Sequence, residues 1–125
     1  LLGTTEMDVF DLSGLSQAPD LRFIDGKGGN DIMIGSNFAD HLRGDAGDDV
    51  LDGRGGNDTL NGGKGLNTYV FVDGYDHDTI VKFQAGRDTI DLTGVSSVAN
   101  FTELLALMDQ VDRRTVLIDF GNGDT

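Results

Sequence analysis

Cysteine is absent from the 125 residues, which excludes disulfides, thiolate zinc sites and a cysteine nucleophile but leaves the compartment open. Basic residues are scarce, nine against 22 acidic, for a formal charge of −13. Nucleic-acid phosphates and anionic membranes need a basic face, so no nucleic acid is expected as a partner. No apolar run approaches the length that spans a bilayer, so no membrane insertion is expected. The opening LLGTTEMDVF lacks the basic start of a signal peptide. A start without Met and a stop at GNGDT, a hairpin turn with no returning strand, read as a fragment of a longer protein. Catalytic motifs are missing as well. There is no H-E-x-x-H, no G-x-S-x-G, no Walker lysine after Gly53–Gly56 and no EF-hand spacing. His41 and His77 stand singly, and a lone surface histidine reads as a solvated side chain. No catalysis is expected from this stretch.

Glycine, in contrast, is abundant, with nineteen residues. From Gly26 to Val70 the chain divides every nine residues into GKGGNDIMI, GSNFADHLR, GDAGDDVLD, GRGGNDTLN and GGKGLNTYV. Position one is always glycine: Gly26, Gly35, Gly44, Gly53 and Gly62. Position six is Asp31, Asp40, Asp49, Asp58 and then Asn67. Position eight is apolar throughout: Met33, Leu42, Leu51, Leu60 and Tyr69. A short fixed period is the signature of a stacked architecture.

Each block splits into a six-residue loop and a three-residue strand. Glycine at positions one, four and often two supplies a backbone with φ > 0 that a Cβ opposes. Alternation along the strand turns only position eight inward. Two blocks then complete a coil with one strand in each of two facing sheets. Met33, Leu51 and Tyr69 line one inner wall, Leu42 and Leu60 the other. The expected fold class is all-β, a parallel β-roll. Each buried side chain is worth roughly 1.5–3 kcal/mol, and ordering one residue's backbone costs about 1–2 kcal/mol. Such a core is too thin to hold the coil alone.

Loops two blocks apart lie on one side, one coil above the next. This stacks Asp31 on Asp49, Asp40 on Asp58, Asp49 on Asn67, and Asp58 on Asp76 if the nine-residue register continues. Coils about 4.8 Å apart bring the carboxylates close enough to repel by roughly 4 kcal/mol at an effective dielectric near 20. A divalent ion between loops turns that repulsion into attraction. Calcium fits best, because it takes six to eight oxygens in flexible geometry. A solubilising acidic coat, or disorder from low hydrophobicity and high charge, is the alternative reading of the composition.

The blocks resemble the G-G-x-G-x-D-x-U-x nonapeptide of RTX (repeat-in-toxin) proteins, a calcium-binding motif. The phrases DTIVKFQAGRDTIDLTGV and TVLIDFGNGDT also look like segments that follow such blocks. The resemblance implies calcium between alternate loops. Its ligands are the Asp carboxylate with the carbonyls of positions two and four on one coil, and the Asp with the carbonyls of positions one and three on the next. Carried over, one site is Lys27, Gly29 and Asp31 with Gly44, Ala46 and Asp49. A second is Ser36, Phe38 and Asp40 with Gly53, Gly55 and Asp58. A third is Asp45, Gly47 and Asp49 with Gly62, Lys64 and Asn67. A fourth takes Arg54, Gly56 and Asp58 against the next loop, where Asp73, Asp76 and Asp78 compete. That makes about four inter-turn calcium ions. Phe38 has to tolerate the glycine geometry of its loop, and Asn67 removes a charge from the third site.

Residues 1–25 read as a lead-in or cap, with strand candidates at Val9, Phe10 and Leu12 and at Leu21, Phe23 and Ile24. Ile24, nine residues before Met33, suggests a degenerate turn. Residues 26–70 are the roll, and 71–125 a closing segment of strands with one short helix over NFTELLALMDQV, where Asn100 and Glu103 form a capping-box pattern. The resemblance implies a module of a secreted Gram-negative bacterial protein. Such a module folds on calcium outside the cell and supports type I secretion, with that machinery as the partner of the full-length protein. The alternative is the non-catalytic tail of a secreted protease, lipase or epimerase that contributes to substrate binding, or a surface-adhesin region. A threonine ladder suited to ice is not found at position seven, which runs Ile32, His41, Val50, Thr59 and Thr68.

Overall fold

Three-residue strands separated by six-residue loops cannot form hairpins, so they pair with the strand two blocks away. The computed structural model describes residues 2–14, 23–72, 77–84, 86–94, 108–110 and 116–119, and every regular element among them is a strand. In chain order these are β1 (Val9–Asp11), β2 (Phe23–Asp25), β3 (Ile32–Ile34), β4 (His41–Arg43), β5 (Val50–Asp52), β6 (Thr59–Asn61), β7 (Thr68–Val72), β8 (His77–Ile80), β9 (Thr89–Gly94), β10 (Met108–Gln110) and β11 (Val116–Asp119). Odd strands β1-β3-β5-β7-β9 form one parallel sheet; β2-β4-β6-β8 form the parallel part of the other. The result is a parallel β-solenoid of about three turns. The second sheet is extended by β11, antiparallel to β8, and then β10, antiparallel to β11.

Register follows the nine-residue frame. Phe10, Met33, Leu51, Tyr69 and Ile90 are cross-strand partners in one sheet, and Ile24, Leu42, Leu60 and Ile80 in the other. Ile24, Met33, Leu42, Leu51, Leu60, Tyr69, Phe71 and Ile80 are buried, with Phe10, Leu12, Phe83 and Ile90 packed against them. Each short strand therefore places one side chain inward, as its alternation demands. Tyr69 fits this apolar column because its hydroxyl accepts the Gly62 N–H at 2.9 Å, and its ring lies against Phe83 with centroids 6.1 Å apart. Burial pushes its phenol pKa up.

Two expectations change. The helix expected over 100–111 is contradicted at Met108–Gln110, which is β10. Pairing with β11 supplies partners for its backbone, and such tertiary pairing overrides a helical spacing of Leu and Met. Residues 100–107 and 111 lie outside the described residues, as does Leu21. The coil also begins before Gly26. Gly3 to Asp11 reads GTTEMDVFD, a block with glycine first, aspartate sixth and Phe10 eighth, and β1 pairs in register with β3.

The single inward residue per strand gives a direct test. Leu51→Ala should cost about 2–5 kcal/mol, and His41→Ala, on the exposed face, less than about 0.5 kcal/mol, in denaturant unfolding under one set of conditions. Equal losses would contradict the alternation.

Candidate metal centre

The loops stack as closely as the strands, and this places the acidic residues. The amide of each position-six residue donates to the side-chain Oδ1 of the position-six residue one coil on. On one side the ladder runs from Asp8 N–H to Asp31 (2.8 Å), Asp31 to Asp49 (2.9 Å), Asp49 to Asn67 (3.0 Å) and Asn67 to Asp88 (3.1 Å). On the other it runs from Asp40 to Asp58 (2.8 Å) and Asp58 to Asp78 (2.9 Å). The expected stacking of Asp31 on Asp49, Asp40 on Asp58 and Asp49 on Asn67 is what the loops show. Asp58, however, meets Asp78. Phe71 and Val72 prolong β7 by two residues, so the frame restarts at Asp73, and Asp76 lies outside the described residues.

Glycine has two distinct roles. The left-handed residues sit at position two (Lys27, Asp45, Arg54 and Gly63) and position four (Gly29, Gly47, Gly56 and Gly65). Where position two is Lys27 or Arg54, the Asp two residues earlier holds the turn, Asp25 Oδ1 accepting Lys27 N–H and Asp52 Oδ1 accepting Arg54 N–H, both at 3.1 Å. Position one has no left-handed φ, contrary to expectation. Its glycine is needed for space: a Cβ on Gly26, Gly44 or Gly53 would lie 2.1, 2.0 or 2.2 Å from Oδ2 of Asp31, Asp49 or Asp58. The aspartate curls over its own loop's first Cα.

That packing leaves the second carboxylate oxygen buried. Asp31 Oδ2, Asp49 Oδ2 and Asp58 Oδ2 accept no hydrogen bond from the described residues. Burial pushes the Asp31 pKa up, and that of Asp49 up to about 6, with the carboxylate of the preceding coil, Asp8 and Asp31 respectively, adding to the effect. Asp58 is pushed up to about 9, first by burial and then by the Asp78 carboxylate. A buried anionic oxygen without a partner is costly.

Loop 35–40 solves the problem differently. Neither Ser36 nor Phe38 has a left-handed φ, so Phe38 is not forced into glycine geometry. Instead Asp40 Oδ2 accepts both the Ser36 N–H (2.7 Å) and its hydroxyl (2.9 Å), while Asp40 Oδ1 accepts nothing from the described residues. Asp8 Oδ2 is held the same way by Thr4 N–H (2.6 Å) and hydroxyl (3.0 Å), and Asp88 Oδ2 by Gln84 N–H (2.8 Å). Asp8 and Asp88 were not anticipated. Their signal was the frame itself, GTTEMDVFD at 3–11 and FQAGRDTID at 83–91, hidden by the insertions that separate them from the clean blocks.

Hard, oxygen-seeking cations fit this donor set. Among the described residues no three His, Cys, Asp or Glu side chains converge, so a cation here would need backbone carbonyls beside the carboxylates. Several loop carbonyls are already engaged: Lys27 O accepts Ala46 N–H (3.2 Å), Asp45 O accepts Lys64 N–H (2.8 Å), and Lys64 O accepts Gly47 N–H (3.2 Å). Each such oxygen retains a second lone pair.

Fold and site together define a parallel β-roll whose stacked loops present buried carboxylates. Residues 23–41 and 34–69 match the family model of the RTX calcium-binding nonapeptide repeat, in four copies. The chain thus carries RTX repeats, which bind calcium and are typical of secreted bacterial proteins. Neither the curated proteins nor the solved structures gave a match.

Two predictions follow from this geometry. Gly44→Ala should disrupt the roll, because the new Cβ meets Asp49 Oδ2, while Gly55→Ala, whose nearest neighbour is 3.4 Å away, should be mild; thermal melts decide. The second concerns pH without metal. Asp49 and Asp58 have folded pKa values of about 6 and 9 above an unfolded value of about 3.9. The folded state therefore binds more protons between those limits, and stability falls as pH rises through them. Metal-free chain should gain β-signal in circular dichroism on acidification from pH 8 to about 4.5; a signal that falls instead would contradict the burial of these carboxylates.

Proposed function

We propose that this stretch is a calcium-coupled folding module of a larger secreted protein. The observation that carries the reading is the stack of buried aspartates, Asp31 with Asp49 and Asp40 with Asp58, each keeping one carboxylate oxygen without a hydrogen bond from the described residues. Calcium would be held by the first site, Lys27, Gly29 and Asp31 with Gly44, Ala46 and Asp49. The second takes Ser36, Phe38 and Asp40 with Gly53, Gly55 and Asp58, and the third Asp45, Gly47 and Asp49 with Gly62, Lys64 and Asn67. The fourth joins Arg54, Gly56 and Asp58 to Asp78, for about four ions in all. What the metal supplies is charge neutralisation and oxygen coordination inside a stack that otherwise repels itself.

The chain's own residues do the rest. Glycines at positions one and four let the loops close, the Oδ1 ladder sets the register, and the thin column from Met33 to Tyr69 seals the interior. At low calcium the carboxylates oppose folding, so the chain would leave a cell unfolded through a type I secretion channel. Extracellular modules bind calcium at about 10⁻⁴–10⁻³ M, so it would then order outside. Within this reading residues 1–25 lead in, 26–70 form the metal-binding roll and 71–125 close it, with the coil running on into both flanks. The module carries no catalysis of its own; its host supplies any activity.

Circular dichroism with chelator and then calcium tests the proposal, and a chain equally β-rich in both would sink it. Asp49→Asn refines the test. An amide oxygen can still accept the Asp31 N–H, as Asn67 accepts that of Asp49, but the charge is gone. Calcium midpoint should rise about tenfold while chelated chain becomes easier to fold. The reverse substitution, Asn67→Asp, should lower the midpoint. No change in either would remove these side chains from the calcium sites.

A further inference from the structure

The junction between β6 and the loop after it carries a chemistry that the roll itself does not use. Asn61–Gly62 is the one Asn–Gly pair among the described residues; a second, Asn122–Gly123, lies outside them. An asparagine side chain is open to attack by the backbone nitrogen of the next residue, and glycine, with no Cβ, leaves that nitrogen unhindered. The reaction balances with water alone. The Gly62 nitrogen gives up its proton to solvent and bonds to Asn61 Cγ, the Cγ–Nδ2 bond breaks, and ammonia leaves behind a five-membered imide. Water then opens the ring on one side to aspartate, or on the other to isoaspartate, whose main chain runs through the side-chain methylene.

The folded roll withholds each requirement of that step. Ring closure needs the Gly62 nitrogen close to the plane of the Asn61 side chain, and the extended backbone of Thr59–Asn61 turns it away. Asn61 is held extended by its register pairing with Arg43, and its carbonyl accepts the Gly44 N–H at 2.8 Å. Gly62 is buried, and its N–H donates to the Tyr69 hydroxyl at 2.9 Å. Burial pushes the Tyr69 pKa up, so that hydroxyl keeps the proton in place without becoming a base. Asn61 Oδ1 is buried too, away from the water that assists departure of the amide. Arg43 and Gly44 belong to the preceding coil and Tyr69 to the following strand, so all of this protection is lost together when the chain unfolds.

We propose that Asn61–Gly62 is a self-modification site, closed by the Tyr69 hydroxyl in the folded roll and open in the unfolded chain. Resting on the calcium-coupled folding proposed above, the site sets a time limit on the unfolded state, which is modified irreversibly if it persists. The two products differ in consequence. Aspartate at 61 matches Asp25 and Asp52, which hold the same ninth position. Isoaspartate lengthens the main chain by one carbon just where loop 62–67 must meet loop 44–49, through Lys64 N–H to Asp45 O and Asp49 N–H to Asn67 Oδ1. A chain that carries it no longer closes the roll.

The test follows the full 125-residue chain by site-resolved mass spectrometry at mildly alkaline pH, in calcium, in chelator, and in calcium with guanidinium, circular dichroism reporting the fold of each. Asn61 should convert at least about tenfold more slowly in the calcium-folded chain than in guanidinium; equal rates overturn the proposal. That comparison sets folded against unfolded chain whatever calcium does. A chelated chain that keeps both its β-signal and its Asn61 therefore counts against the folding reading alone. Tyr69→Phe, folded with calcium, should lose up to about tenfold of the protection, and an unchanged rate removes the hydroxyl from this role. Chain aged in chelator and then given calcium should separate by size into a refolded fraction depleted of isoaspartate at 61 and an expanded fraction enriched in it. Isoaspartate shared equally between the two overturns the time limit.

Discussion

The structure depends on one repeated contact: an aspartate that folds back over its own loop and accepts, through Oδ1, the amide of the preceding coil. This contact does three jobs that in most proteins are divided among different residues. It satisfies a loop amide that has no strand partner, a necessity for buried backbone. It locks one coil to the next in register. It also carries a negative charge into the interior, where the same oxygen pair attracts a cation. Removing the charge and removing the hydrogen bond are therefore different perturbations, and Asn67 shows that the chain itself separates them.

The glycines follow from that contact. Position-one glycine has an ordinary backbone and is there because Oδ2 of the sixth residue occupies the space of its missing Cβ. Position-four glycine is different. It turns left-handed under the carbonyl of the coil before, as Gly47 does under Gly29 O and Gly65 under Gly47 O. Position two tolerates Lys27 and Arg54 because the aspartate two residues earlier braces the turn. The hydrophobic column is a consequence rather than the cause of the stacking, since one inward side chain per strand cannot order nine residues.

The fold and the stacking of the position-six side chains were legible in the sequence because the contact forces a strict period. Gly first, Asp sixth and an apolar eighth residue are enough to place β3 to β7 and the pairs from Asp31 to Asn67. Legibility failed where the period was interrupted while the contact persisted. Phe71, Val72 and Lys82 are insertions that shift the frame, so Asp78 and Asp88 were hidden behind nearer candidates. GTTEMDVFD was hidden because it has only the first of the loop glycines. At Met108–Gln110 helical spacing misled, since that segment's conformation is set by β11, a partner that no local pattern announces.

The loops that depart from the glycine pattern share a solution. Thr4, Ser36 and Gln84 each stand four residues before the aspartate and donate to its Oδ2, the oxygen left buried and unpartnered in loops 26–31, 44–49 and 53–58. Loops 3–8 and 83–88 are the first and last of their ladder among the described residues, and loop 35–40 is the first on the opposite side. In these loops Oδ2 is not left bare. A local hydroxyl or amide satisfies it instead, at the expense of the left-handed turn at position two. Loops 26–31, 44–49 and 53–58, free of such donors, keep Oδ2 available, whereas in loop 35–40 the oxygen without a hydrogen bond from the described residues is Asp40 Oδ1.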